Sequence, residues 1–487
     1  MYKHRINCVA EICGLVSAFP NLEHISLPYM RLPSISTTFL RQSPGNMLSG
    51  LKKLHYRLNQ PLASMVLHDV SCAFTKCPSL DELSLDLYTD LFIVEDLYVH
   101  KAEDWQSSAI RSLTIKCVYF SSHIVEAILA YTPKLECLNL TLAKVTPTLM
   151  QRLLESCPRL TSLSIELAYS DNHRPFAIEG FCRNIATAYQ GQLRQLRLIF
   201  HQKPIISSII TTQVLHHHGA HLTTLDLTGL PLTNDSLARL AQCVSPQLAH
   251  LNLSRSLEGH TPPLHALSTI FSICGSKLRS LHLDCNSMVN DSVAALVARY
   301  CRGLKTLTLR KTNVSRMGMH KILQVNGYSL RTLHPPQASV LEGIFKDITN
   351  FCPFLTELEA GWSGIVEKRQ QIIIVRQFGD FMRLCGNNLE TLVVDGWPSI
   401  RLLLSVVATY GRELRQITLN DDEELSDQFL RDVLGGCKKL HRVYILLSFP
   451  FKAEGLSDDA LVETAGRNYE QASEIERPRT YTFDMRC

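Results

Sequence analysis

Apolar residues recur along this chain in one frame, Leu-x-x-Leu-x-Leu, and between successive frames their spacing widens from two residues to three and four. The clearest copy is Leu278-Arg-Ser-Leu281-His-Leu283, followed by Asp291-Ser-Val293-Ala-Ala-Leu296-Val297. The first pattern predicts a short strand with its leucines on one face, and the second predicts a helix covered on one side. Asn290 or Asp291 supplies the start signal for that helix, because a short polar side chain there accepts a bond from an orphan amide, typically worth about 1 kcal/mol. Asp235-Ser-Leu237-Ala-Arg-Leu240-Ala241 repeats the helical half.

The frame begins at Leu22, Leu51, Leu80, Ile110, Leu135, Leu160, Leu193, Leu222, Leu248, Leu278 and Leu304, and persists in weaker form at Leu330, Leu355, Leu389, Leu414 and Leu440. The chain advances 418 residues from Leu22 to Leu440 in fifteen steps, roughly 28 per unit, which lies in the band of about 20 to 29 for leucine-rich repeats. One unit cannot cover its own apolar face, so stacked units share a continuous core. The expected fold is therefore an α/β leucine-rich-repeat solenoid, a ribonuclease-inhibitor-like horseshoe with parallel strands on the concave face and helices on the convex face. The long steps from Leu160 to Leu193 and from Leu355 to Leu389 are expected to carry loop insertions.

Residues 1–21 read as the helical half of a partial N-terminal repeat, 22–455 as a solenoid of about sixteen repeats, and 456–487 as a C-terminal capping helix and tail. Residues 28–50 hold Pro28, Pro33, Pro44 and Gly45 and leave the first helix in doubt. Pro335-Pro336 should end its strand early, since proline cannot donate to a ladder. Arg479 to Met485 alternates polar and apolar residues, as a last edge strand would.

Composition narrows the function. The 487 residues carry 49 Lys and Arg against 45 Asp and Glu, a net charge of +4 scattered without blocks, which argues against nucleic acid or a membrane surface as partner. No apolar run approaches the eighteen or so residues of a membrane span. The basic start at Met1 is not followed by an unbroken apolar stretch, since Glu11, Pro20 and Asn21 interrupt it, so a cytoplasmic or nuclear location is expected. Sixteen cysteines in so long a chain, many at one fixed place in the repeat, read as buried reduced thiols.

Those cysteines carry a resemblance. The phase Cys-Pro-x-Leu appears at Cys77, Cys157 and Cys352, with variants at Cys301 and Cys437; Cys117 and Cys285 follow strands, and Asn234-Asp235, Asn290-Asp291 and Ser426-Asp427 mark helix starts. This resembles the cysteine-containing leucine-rich repeats of the F-box/leucine-rich-repeat family over nearly the whole chain. The resemblance implies a substrate-recognition subunit of a cullin-based ubiquitin ligase. An F-box would open on Leu-Pro-x-Glu ahead of the repeats, and none is recognisable in the residues before Leu22. A cullin-ligase adaptor is thus expected as partner if an F-box exists upstream. The alternative is a ligase-independent regulatory repeat protein that inhibits or activates a partner enzyme.

No catalytic, cofactor-binding or metal-binding constellation is found. There is no Cys-x-x-Cys pair, and His216, His217, His218 and His221 read as a solvated helix end rather than a zinc site. Gly361-Trp-Ser-Gly364 lacks the spacing of a nucleophile elbow. Alternation instead places a row of polar residues on the concave face, including Lys53, His55, Arg57, Asp86, His282, Asp284, Arg310, Glu357, Glu359 and Asp395. Its mixed charge favours a protein target there. Trp362 and Trp397 lie just beyond consecutive strands, where they would anchor a partner or fold back over the core. The candidate partner-binding set is Trp362, Trp397, Glu357, Glu359, Asp395, Arg310, His282 and Asp284.

Overall fold

Each of the sixteen frames carries a strand. The computed structural model describes residues 22–30, 48–59, 63–88, 108–117, 122–142, 145–167, 184–185, 189, 191–201, 209–257, 261–337, 343–361, 368–395, 400–420, 433, 435–447, 468–471 and 479–484. The chain divides into two compact units, His4–Leu248 and Ala249–Cys487, and both are leucine-rich-repeat solenoids.

In the first unit the strands are β1 (His24–Met30), β2 (Lys53–Asn59), β3 (Glu82–Tyr88), β4 (Ser112–Cys117), β5 (Cys137–Leu142), β6 (Ser162–Leu167), β7 (Gln195–Phe200) and β8 (Thr224–Asp226). All pair in parallel, and the middle apolar residue of each frame is in register with the next, from Ile25 through Leu54, Leu83, Leu113, Leu138, Leu163 and Leu196 to Leu225. The second unit repeats this through β9 (His250–Asn252), β10 (Ser280–His282), β11 (Thr306–Thr308), β12 (Thr332–His334), β13 (Glu357–Gly361), β14 (Thr391–Asp395), β15 (Gln416–Asn420) and β16 (Arg442–Leu447). Here Leu251, Leu281, Leu307, Leu333, Leu358, Leu392, Ile417 and Val443 align. Entry to β2–β8 and to β10–β16 is fixed by one carbonyl shared between two amides: Arg279 O accepts from Lys305 N at 2.8 Å and Thr306 N at 3.0 Å.

The frame residues from Leu51 to Leu419 are buried, each contributing about 1.5–3 kcal/mol. Helices return the chain between strands, among them α1 (Ala63–Lys76), α2 (Ser122–Leu129), α3 (Pro147–Ser156), α4 (Ile209–His218), α5 (Asn234–Cys243), α6 (Leu264–Cys274), α7 (Asp291–Tyr300), α8 (Arg316–Asn326), α9 (Phe345–Phe351), α10 (Lys368–Cys385) and α11 (Ile400–Tyr410). Asn290 caps α7, its side chain accepting from Ser292 N and Val293 N, whereas the cap of α5 is Thr233, one residue ahead of the Asn-Asp pair. Asp291 turns instead to the next repeat and accepts from Ser315 N and Oγ.

Four expectations change. The extra residues before Leu389 lengthen α10 to 18 residues rather than forming only a loop. Strand β12 ends at His334, directly before Pro335, but a proline is not needed for that, because β9 to β11 are equally short; they are followed by Arg255, Cys285 and Lys311 at φ of 57°, 57° and 52°. Strand β18 (Arg479–Asp484) exists but is not the edge: it pairs antiparallel with β16 and with β17 (Asn468–Gln471). Finally Cys285 is exposed, although Cys77, Cys117, Cys157, Cys301, Cys352 and Cys437 are buried as expected. Burial pushes the Cys77, Cys352 and Cys437 thiols up to about 12. The first-repeat helix, most of the insertion after β6, the N-terminal half-repeat and the C-terminal capping helix lie outside the described residues.

Candidate functional site

On each strand the leucines take the helix side, so the residues between them and just beyond form the opposite, outward face. In the second unit this face gathers charge at β10 to β13. Arg310, two residues past β11, donates Nε and Nη2 to Asp284 Oδ2 at 3.3 and 3.2 Å, and Nη1 to both oxygens of Glu359 at 3.2 and 3.0 Å. The Arg310 backbone amide adds a bond of 2.7 Å to Asp284 Oδ1. To reach Glu359 the guanidinium passes the next repeat, where Pro336 at the equivalent position carries no polar side chain to intercept it, as Gly361 carries none in the repeat of Glu359.

His334 extends the network. Its Nε2 bonds Glu357 Oε1 at 3.3 Å, and its Nδ1 lies 3.3 Å from Glu359 Oε2 without hydrogen-bond alignment. Glu357 also accepts from Thr332 Oγ1. Asp284 is 7% exposed and Glu359 6%, whereas the Arg310 side chain stays 45% exposed. Burial of two carboxylates is costly unless they are paired, and Arg310 answers both. Desolvation raises the Glu359 carboxyl above its ordinary range despite the pull of His334 and Arg310. The hydrogen bond from His334 lowers Glu357. Desolvation opposes the charge on Arg310, but Glu359 and Asp284 outweigh it and raise the group.

His282 bonds Ser280 Oγ through Nε2 at 2.7 Å and Thr308 Oγ1 through Nδ1 at 3.0 Å. The Ser280–His282 distance suits a nucleophile and its base. A catalytic pair of that kind needs a group that stabilises the imidazolium, and a threonine hydroxyl is far weaker in that role than a carboxylate.

The structure therefore brings together Asp284, Arg310, Glu357 and Glu359 from the sequence-derived set, and sets His282 in the same face beside them. Asp395 ends β14 in register with Gly361 and Asn420; its side chain, Trp362 and Trp397 lie outside the described residues. Sequence reasoning missed His334 and Thr308, although both hold the same place in their repeats as His282. It also missed the exposed pair Tyr328 and Phe354, packed edge-to-face at 4.9 Å with Arg331 over the Phe354 ring at 5.1 Å. Both follow helix ends, where no periodicity marks them. The histidine run is split: His216 and His217 are exposed, but His218 is buried against Ile185 O at 3.1 Å, and desolvation lowers its pKa. Among the described residues no cluster of three or more His, Cys, Asp or Glu is placed to hold a metal, and no helix is long and apolar enough to cross a membrane.

No protein-family model matches the chain, and no curated protein matches it. Among solved structures it is similar to the Rad7 and Elc1 complex of yeast, at 15% identity over 79% of this chain and 83% of that one, TM-score 0.43. It is similar as well to the leucine-rich-repeat-containing protein LegL7 of Legionella pneumophila, at 12% identity over 74% of this chain and 99% of that one, TM-score 0.32. A complex of TLR13 with ssRNA13 matches at 14% identity over 88% of this chain and 64% of that one, TM-score 0.35.

Proposed function

We propose that this chain is a non-catalytic protein-interaction scaffold that holds a target on its outward strand face, and that it acts as a substrate-recognition subunit of the kind F-box/leucine-rich-repeat receptors provide to cullin-based ubiquitin ligases. The network of Asp284, Arg310, Glu359, His334 and Glu357 carries the scaffold reading. Its groups are fixed by one another before any ligand arrives, which lowers the ordering cost of binding. Three carboxylates stand against one guanidinium and one imidazole, so the face favours a basic segment of a protein partner. The ligase reading is supported by the cysteine-phased repeats, with buried thiols at Cys77, Cys157, Cys301, Cys352 and Cys437.

Affinity purification of the chain after in-cell crosslinking tests both parts. A cullin adaptor and a target should be recovered together, and Glu357→Gln with His334→Gln should lower target recovery while leaving the adaptor unchanged. Recovery of a partner enzyme with no adaptor would overturn the ligase reading and leave a regulatory scaffold. Loss of neither partner in the double variant would remove this face from the function.

A further inference from the structure

A second charge cluster lies on the outward face of the first unit, and its balance is the reverse. Asp86 of β3 is 1% exposed, yet three basic side chains converge on it. His55 Nε2 and Arg57 Nε each reach Oδ2 at 3.2 Å, and Lys116 Nζ stands 3.8 Å from Oδ1. Strand register explains the convergence, since Arg57, Asp86 and Lys116 are paired across β2, β3 and β4, with neighbouring strands about 4.8 Å apart.

One carboxylate cannot use all that these cations offer. Arg57 spends only Nε on Asp86, and among the described residues its two terminal amino groups have no hydrogen-bond acceptor. Lys116 at 3.8 Å makes an ion pair but no hydrogen bond. Asp86 Oδ1 likewise lacks a hydrogen-bond partner. The side chains of Arg57 and Lys116 are 45% and 53% exposed. Of the other charged groups nearby, Glu82 is taken by Lys53. The cluster thus keeps a positive surplus, with the planar fork of a guanidinium open to solvent and its stem tethered to a buried aspartate. That fork matches a carboxylate in bidentate fashion.

We infer that Arg57 and Lys116, held in place by Asp86, form a binding site for the carboxylates of an acidic peptide segment in a partner protein. The inference rests on the scaffold reading only in taking a protein as the carrier of the anion; it is independent of what the Arg310 network binds. Asp86 serves as the positioning residue, and Arg57 and Lys116 as the contacts.

The test is fluorescence anisotropy of the full chain with a labelled Glu/Asp-rich peptide, a Lys-rich peptide of equal and opposite charge, and a single-stranded oligonucleotide matched in charge to the acidic one. Saturable binding of the acidic peptide is expected, weakened at least fivefold by Arg57→Gln and by Lys116→Gln, and less than twofold by Lys53→Gln two rows away. Asp86→Asn should also weaken it, although the variant has gained net positive charge, because the cations lose their anchor. Circular dichroism melting confirms that each variant is folded. Equal loss in Lys53→Gln, tighter binding in Asp86→Asn, or preference for the oligonucleotide would each overturn the inference. Failure of the Arg310 network to bind a target would leave it untouched.

Discussion

Arg57 and Arg310 hold the same place in their repeats, six residues past the first residue of the frame, and each leans on an aspartate of an adjoining repeat. Their situations differ in what is left over. Arg310 commits Nε and both terminal nitrogens to Asp284 and Glu359, while Arg57 commits Nε alone. Around Arg310 the surplus is carboxylate, and around Asp86 it is cation. In a repeat array one position can therefore become a structural clamp or an open contact, depending on what the neighbouring repeats place beside it.

The largest effects should ignore this contrast. Leu113→Ala in β4 and Leu307→Ala in β11 remove wholly buried frame leucines, and each should cost about 3 kcal/mol by chemical denaturation. A marked difference between them would mean that the two repeats are not equally packed.

Next come the two arginines. Arg310→Met leaves Asp284 and Glu359 without their cation and should cost about 2 kcal/mol, below the range for a fully buried pair because the guanidinium is half exposed. Arg57→Gln should cost under about 1 kcal/mol, since His55 and Lys116 remain beside Asp86. Equal losses would erase the distinction between clamp and contact.

A smaller effect is the pH dependence around His334. The folded Glu359 carboxyl is raised, so relative to Glu359→Gln the native chain should gain stability as pH falls through that raised value, levelling off below the unfolded carboxylate value. Glu357 is lowered, so its advantage over Glu357→Gln is present above the unfolded value and should vanish as pH falls through the folded one. Melting temperatures of the two variants against pH should thus diverge from the native chain in opposite senses. Parallel curves would show that burial of Glu359 does not separate the two glutamates.

The smallest effect is local. Cys285, exposed beside Asp284, should react with a thiol reagent in the native state, while Cys77, Cys157, Cys352 and Cys437 should stay protected until unfolding. Mass mapping of the labelled sites after a short pulse checks this. Prompt labelling of Cys157 would contradict its burial.

Much of the molecule was legible from the order of its residues. The frame from Leu22 to Leu440 set sixteen strands and their register, because a period-two apolar pattern that slips by one residue exposes every leucine at once. It also assigned Asp284, Arg310, Glu357 and Glu359 to one face. The phase cysteines followed the same logic, and Cys285 escaped it because the left-handed turn at its φ of 57° leaves that side chain exposed. What the tertiary structure alone decided is which outward residues meet. Arg310 and Glu359 are 49 positions apart and occupy different rows, so no periodicity pairs them; side-chain reach past Pro336 does. Burial of Asp86, and the donors left idle on Arg57, likewise depend on three strands lying side by side. Frame and register are properties of one repeat and its period, whereas charge balance belongs to neighbours that only stacking brings within a few ångströms.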